Sequence, residues 1–233
     1  PQYRKGVISP VQCLQEGWLL IKDQYWLFLG ITAVGILIAS AVPMGIILGP
    51  MMCGIYLCLL RRRRGETVTF EMLFKGFDYF VQSLIATLFQ ILPAMLLLFV
   101  FYIFFFVGMM TSMSMAGRAG GPPAGPPLMF FITMALLFAG MMVVLIAIGA
   151  VFVFAFPLIV DRKLSGVEAV KASIQAVLGN LGGVIGLLLL NLALGILGML
   201  MCYVGAFLFM PVGMAAWTIA YDRVFGIRGD SPA

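Results

Sequence analysis

Residues 80–110 carry no charged side chain, and neither do residues 128–160. A helix crosses the hydrocarbon core of a bilayer with about 20 mostly apolar residues, so each run is long enough to span with residues to spare. The rest of the chain has the same character. Of its 233 residues 63% are hydrophobic and 10% charged, whereas soluble domains hold about 45–50% apolar and about 25% charged residues. No soluble core could enclose that much apolar surface. The expected class is an all-α membrane protein.

The apolar block 25–60 is interrupted at Pro43 and divides into two spans, about 24–41 and 45–60. The second stops at Arg61, Arg62, Arg63 and Arg64, four charges too costly for hydrocarbon. The run 80–110 is a third span with a kink expected at Pro93. At about 30 residues it would reach roughly 45 Å, against a core near 30 Å, and so must tilt or project. Residues 111–127, with their Gly- and Pro-rich end, read as an external loop that cannot continue a helix. Residues 128–160, 181–200 and 204–221 complete about six spans in three hairpins. The basic start 1–6 does not have the pattern of a signal peptide.

Orientation follows from the fourteen basic residues. With the N-terminus inside, thirteen fall on the cytoplasmic side and only Arg118 outside, a strong positive-inside bias. The C-terminus is then also inside. The net charge of +5 therefore reports topology and anionic lipid, and no nucleic-acid partner is expected.

A repeat is legible before the hairpins. Ser9, Thr69 and Ser165 each open an amphipathic segment, and Ser9 with Gln12 and Ser165 with Glu168 have capping-box spacing. Pro10 stands at the first helical position, where its missing N–H is harmless. Apolar positions follow at Val11, Leu14, Trp18 and Ile21, and at matching offsets at Val167, Val170, Ile174 and Val177. The middle copy, Phe70, Leu73, Phe77 and Phe80, is displaced by one residue. Short helices of this kind lie flat in the head-group layer. The expected plan is a single membrane domain of three pseudo-repeats, 9–60, 69–160 and 165–224, each a cytoplasmic interfacial helix followed by a hairpin.

The stretches GPMMCGIYLCLLRRRRGETVTFEMLFKGFDYF and FPLIVDRKLSGVEAVKASIQAVLGN and the closing AYDR resemble uncharacterised six-helix integral membrane proteins of bacteria, the YciC-like grouping. The resemblance covers most of residues 9–224 and rests on caps, a basic stop and Gly/Pro packing. It implies the bacterial cytoplasmic (inner) membrane and a similar multi-pass topology. It transfers no catalytic residue.

Catalysis needs titratable or nucleophilic groups gathered in one place. All nine acids fall at the cytoplasmic edge beside basic residues, where a solvated face accounts for them. The chain has no histidine, and Cys13, Cys53, Cys58 and Cys202 form no metal-spaced pair. Neither enzyme activity nor a cofactor is expected. Gln82, Gln90 and Asn191 are polar positions within spans, serving either as contacts between helices or as the lining of a polar path. Met109, Met110, Met113 and Met115 cluster at the outer end of the third span. Thioethers suit Cu(I), although Met is more often packing filler. Gly45 with Gly49 and Gly182 with Gly186 have the spacing of close helix contacts, within one chain or between copies.

The function expected from these features is that of a non-catalytic membrane-organising protein, or an accessory or scaffold subunit of a membrane assembly. Arg61, Arg62, Arg63, Arg64, Arg162 and Lys163 would hold anionic lipid head groups, and a homo-oligomer or larger complex is the expected company. The alternative is a channel or transporter for a small solute, a lipid or Cu(I), with Gln82, Gln90 and Asn191 along the path.

Overall fold

The computed structural model describes residues 3–41, 45–118, 128–201 and 204–227; Pro43 and Cys202 lie outside them. Among the described residues there is no strand. The helices are α1 (Pro10–Ile21), α2 (Tyr25–Ala41), α3 (Leu48–Arg63), α4 (Phe80–Arg118), α5 (Leu128–Val151), α6 (Ala155–Arg162), α7 (Gly166–Gly179), α8 (Leu181–Leu200) and α9 (Val204–Phe225). The 3₁₀ segments Lys22–Gln24 and Phe70–Tyr79 lie before α2 and before α4. Among the described residues four helical stretches are long and apolar enough to cross a membrane: Pro10–Ala41, Phe70–Ser114, Leu128–Arg162 and Leu181–Leu200. The chain divides into two compact units, Pro1–Leu88 with Ala150–Ala233, and Phe89–Gly149.

In the first unit the most enclosed helices are α3, α6 and α9. Residues Ile55 to Leu60, Ala155 to Val160 and Ala215 to Tyr221 are all buried. Each is packed against by a short amphipathic segment that follows it in the chain or, at the start, closes the unit. Phe70–Tyr79 packs on α3, α7 on α6, and α1 on α9.

The reason lies in one small residue per segment. A β-carbon at Gly17 would come within 2.7 Å of Ala216 N on α9, and one at Gly76 within 2.5 Å of Gly54 N on α3. Both positions therefore need glycine if the backbones are to approach this closely. In α7 the corresponding residue is Ser173, eight positions after Ser165 as Gly17 is eight after Ser9. Its hydroxyl donates to Val151 O (2.6 Å) and accepts from Phe154 N–H (3.2 Å).

That serine sits at a break in what the sequence suggests is one helix over 128–160. Pro157 has no N–H to return to Val153, so the α5 run ends at Val151 and α6 begins at Ala155. Ser173 satisfies the backbone groups the break sets free.

A second contact recurs at the start of each segment. Phe70 lies 3.8 Å from where a β-carbon of Gly30 would stand, on α2. A β-carbon at Gly166 would lie 2.8 Å from Ile85 Cβ on α4, and one at Gly186 on α8 would lie 2.6 Å from Pro10 Cγ. Gly186 and Gly49 are thus both used inside the chain, Gly49 against Ser83 and Thr87 of α4.

Three expectations need correction. The middle amphipathic segment is a 3₁₀ helix, not an α-helix. With about 2.0 Å rise per residue, its ten residues cover about 20 Å, close to what α1 and its following turn cover at 1.5 Å per residue. Three residues per turn put Leu73, Gly76 and Tyr79 in one row, of which Leu73 and Gly76 are buried, and Phe74 and Phe77 in an exposed one. The one-residue displacement in sequence is the trace of that tighter winding. Second, only Ser165 forms the capping box, with Glu168 Oε2 accepting from Ser165 N–H and Oγ–H. Ser9 makes no side-chain cap, and the Gln12 side chain that would return the other half of the box accepts from Arg223 Nη1 (3.1 Å). Third, α4, with Pro93 inside it, runs on through residues read as part of the loop 111–127, as far as Arg118. The hydroxyls of Thr111, Ser112 and Ser114 bond back to carbonyls three or four residues earlier, which helices accommodate.

The second unit, residues 89–149, is built differently. Aromatic pairs bring α4 and α5 together, Phe101 with Phe138 and Phe105 with Phe130, with ring centroids 5.9 Å apart in both. Gly108 gives room to the Phe130 ring. Most other large side chains here are exposed, including Leu96, Phe99 and Phe104.

Candidate functional site

The basic ends of α3, α6 and α9 meet in the first unit, and their charges are paired there. Arg61 lies 3.7 Å from Glu66, Arg62 3.2 Å from Asp23 and Arg63 2.9 Å from Asp222. Arg64 hydrogen-bonds to Asp161, and Arg223 to Glu16 at 2.7 Å. Arg62 Nε also donates to Leu20 O (3.1 Å). Arg162 donates to Phe225 O (2.5 Å) and stacks over the Phe225 ring at 5.5 Å. Five of the six residues expected to face lipid head groups, all but Lys163, are thus engaged within the chain as well.

Asp161 is the acid that a purely edge-on reading misplaces. Its side chain is 0% exposed, and its second oxygen accepts from the Tyr221 hydroxyl at 2.8 Å. Buried carboxylates persist when paired and hydrogen-bonded, and here both conditions are met. Tyr221 is held in turn by the rings of Phe154 and Phe225, and Phe154 also meets Trp217 edge-on at 6.2 Å. The only sequence trace of this arrangement is the repeated Asp-Arg at 161–162 and 222–223.

Beside the Arg64–Asp161 pair is a polar cavity of about 510 Å³. Arg61, Arg64, Glu66, Tyr79, Asp161 and Lys163 line it, with Leu57, Leu60 and Val160 at its apolar wall. Lys163 ends α6 in the left-handed conformation (φ 54°, ψ 37°) and is the one non-glycine residue with positive φ among those described. It is exposed and stands outside the five ion pairs among the described residues. Nearby, a cavity of about 380 Å³ is lined by Glu16, Leu19, Leu20, Arg62, Arg63 and Gly65. An apolar groove of about 630 Å³ runs beside Trp18, Tyr25, Trp26, Leu194 and Leu208.

The mid-helix polar residues are placed separately. Asn191 Nδ2 donates to Leu187 O (2.9 Å), and its Oδ1 fills the space left by Gly213 on α9. Gln82 is exposed. Gln90 Oε1 and Thr87 Oγ1 are buried without a hydrogen-bond partner among the described residues. None of these four lines the three cavities just described. Met109, Met110 and Met113 are exposed on α4 (37%, 60% and 54%), and the Met115 side chain lies outside the described set. Cys13, Cys53 and Cys58 are buried free thiols.

Comparison with known proteins is sparse. The chain is 36% identical over 78 residues to uncharacterised proteins of Mycobacterium bovis and of two strains of Mycobacterium tuberculosis. That stretch is 34% of this chain and 24% of each relative, so the chain spans well under two thirds of their length. No family model matches, and no solved structure matches.

Proposed function

We propose that this is a non-catalytic, multi-pass protein of the bacterial cytoplasmic membrane that organises lipid or partner proteins at its inner face. In this reading the four long apolar stretches are joined by α3 and α9 to make six spans in three hairpins, with both ends inside. The part of α3 before its arginines, Leu48 to Leu60, is about 20 Å long, and its enclosure by other helices suits so short a span. The paired small-residue and start-of-segment contacts support a chain of three related copies, the third packing back on the first.

One observation carries the organising role. The ion pairs from Arg62, Arg63, Arg64 and Arg223 tie α1 and the central helices together at the basic end, while Phe70–Tyr79 packs on α3 and α7 on α6. Those segments therefore hold fixed positions while exposing Val11, Trp18 and Leu19, Phe70, Phe74 and Phe77, and Val167 and Leu178. Apolar rows held beside charged residues are what inserts into a head-group layer. Buried oxygens without partners on Thr87 and Gln90 favour the other reading, a polar path through the protein.

Extraction of the full chain with its native lipids, followed by mass analysis, tests between them. A stoichiometric partner protein, or a defined oligomer retaining anionic lipid, is the expected result. A lone monomer carrying a specific small molecule or copper would sink the organising role and favour transport. In that case Gln90→Leu would reduce flux of that solute into vesicles.

A further inference from the structure

We propose that the 510 Å³ cavity between the end of α3, Tyr79 and Lys163 is a binding site for one phosphate group, from a phospholipid head group or a soluble phosphate ester. It deepens the lipid-organising role above and rests on it only for the side of the membrane on which the site lies.

Charge comes first. Three cations, Arg61, Arg64 and Lys163, face two carboxylates, Glu66 and Asp161, which leaves one positive charge. A phosphodiester monoanion balances it. Arg64 is held in place before any ligand arrives, because Asp161 grips one nitrogen and is itself gripped by Tyr221. A guanidinium has five N–H donors in a planar fork suited to phosphate oxygens. Arg61 Nη1 donates to the Met72 sulfur at 3.7 Å, and its Nε lies 3.7 Å from Glu66, too far for a good N–H···O bond. Its remaining N–H groups can turn to a ligand. Tyr79 adds a hydroxyl.

The conformation of Lys163 is a second, independent sign. A left-handed helix end normally takes glycine or asparagine, and a residue with a β-carbon there costs on the order of 1 kcal/mol. Strain of this kind gathers at sites that use the side chain. Lys163 lines the cavity in this conformation, where glycine would be easier for the backbone.

The neighbouring cavities lack this combination. Around Arg62 and Arg63 the guanidinium donors already reach Asp23, Leu20 O and Asp222 at 2.9–3.2 Å. The apolar groove beside Trp18 and Trp26 is lined by no charged residue. The phosphate cavity also borders the segment whose Phe74 and Phe77 are exposed, an apolar surface for the tails of a lipid. Its volume falls within the usual range of about 300–1,000 Å³ for small-ligand sites.

The test uses the purified full chain in non-ionic detergent, titrated with dioctanoyl-phosphatidylglycerol and separately with sn-glycerol 3-phosphate, with binding read by calorimetry or native mass spectrometry. One equivalent of at least one probe is expected to bind. Lys163→Gly should weaken it about tenfold while the melting temperature stays level or rises, since glycine relieves the positive φ. Arg61→Gln should also weaken binding, whereas Lys171→Ala, an exposed lysine on α7 outside the cavity, should leave it unchanged. Binding of the lipid alone assigns a head group, and comparable binding of glycerol 3-phosphate assigns a soluble ester. The proposal is overturned if neither probe binds, if Lys163→Gly binds as tightly as wild type, or if Lys171→Ala weakens binding equally. Retention of native anionic lipid by a Lys163→Gly chain with unchanged probe affinity would reject this site and leave the organising role standing. Glycerol 3-phosphate binding here by a chain that retains neither lipid nor partner would do the reverse.

Discussion

Residues 89–149 and the trio of α3, α6 and α9 are both strongly apolar, yet they use that property in opposite ways. In the trio, apolar side chains are hidden against other helices, the backbones come close at Gly17, Gly54 and Gly76, and the charges at the end are paired. In 89–149, Leu96, Phe99 and Phe104 are exposed, and the two helices touch through large aromatic rings. Hydrophobicity alone therefore does not say which helices hold the fold together. Small residues and paired charges do.

The largest test of that contrast is Asp161→Ala. It leaves Arg64 without its partner and Tyr221 without its acceptor, and breaking a buried pair costs about 3–5 kcal/mol. Thermal unfolding of the detergent-solubilised chain, followed by circular dichroism, should show the loss. Gly54→Ala comes next. Its new methyl would press on Leu73 O, and such overpacking costs about 1–3 kcal/mol, read from the same melting curves. Ser165→Ala removes the capping box of α7 and should cost about 1 kcal/mol, with Ser165→Thr close to wild type. Phe104→Ala, in the other region and 61% exposed, should stay within about 0.5 kcal/mol. If that last change destabilises the chain as much as Asp161→Ala, the contrast between the two regions fails.

Much of the fold could be read from local signals. The arginine run at the end of α3, the segment starts after Ser9, Thr69 and Ser165, and the apolar runs place nearly every helix, because each depends on residues within a turn or two. The signals failed where distant residues decide. Ser9 looked like the stronger match to Ser165, but Gln12 is claimed by Arg223, more than 200 positions away. Asp161 looked like a solvated edge residue because nothing beside it in sequence reveals Arg64 or Tyr221. The 3₁₀ winding of Phe70–Tyr79 was present in the sequence as a one-residue slip between copies, legible only once Gly76 is seen to occupy the place held by Gly17 and Ser173. Of the candidate site, the arginines were recognisable as a group, but the split between those well paired and those left open to a ligand is a matter of three-dimensional geometry.

The packing of α1 on α9 makes the order of synthesis matter. Of the three segments, the earliest made is the last to find its partner, so a ribosome-bound chain lacking residues beyond about 200 exposes Gly17 without the α9 backbone that it packs on. Arg4 N–H lies 2.8 Å from Val224 O, so the two ends of the unit are adjacent. A gene rearranged to begin at Ser165 would move the same delay to α7, whose partner α6 would then be made last.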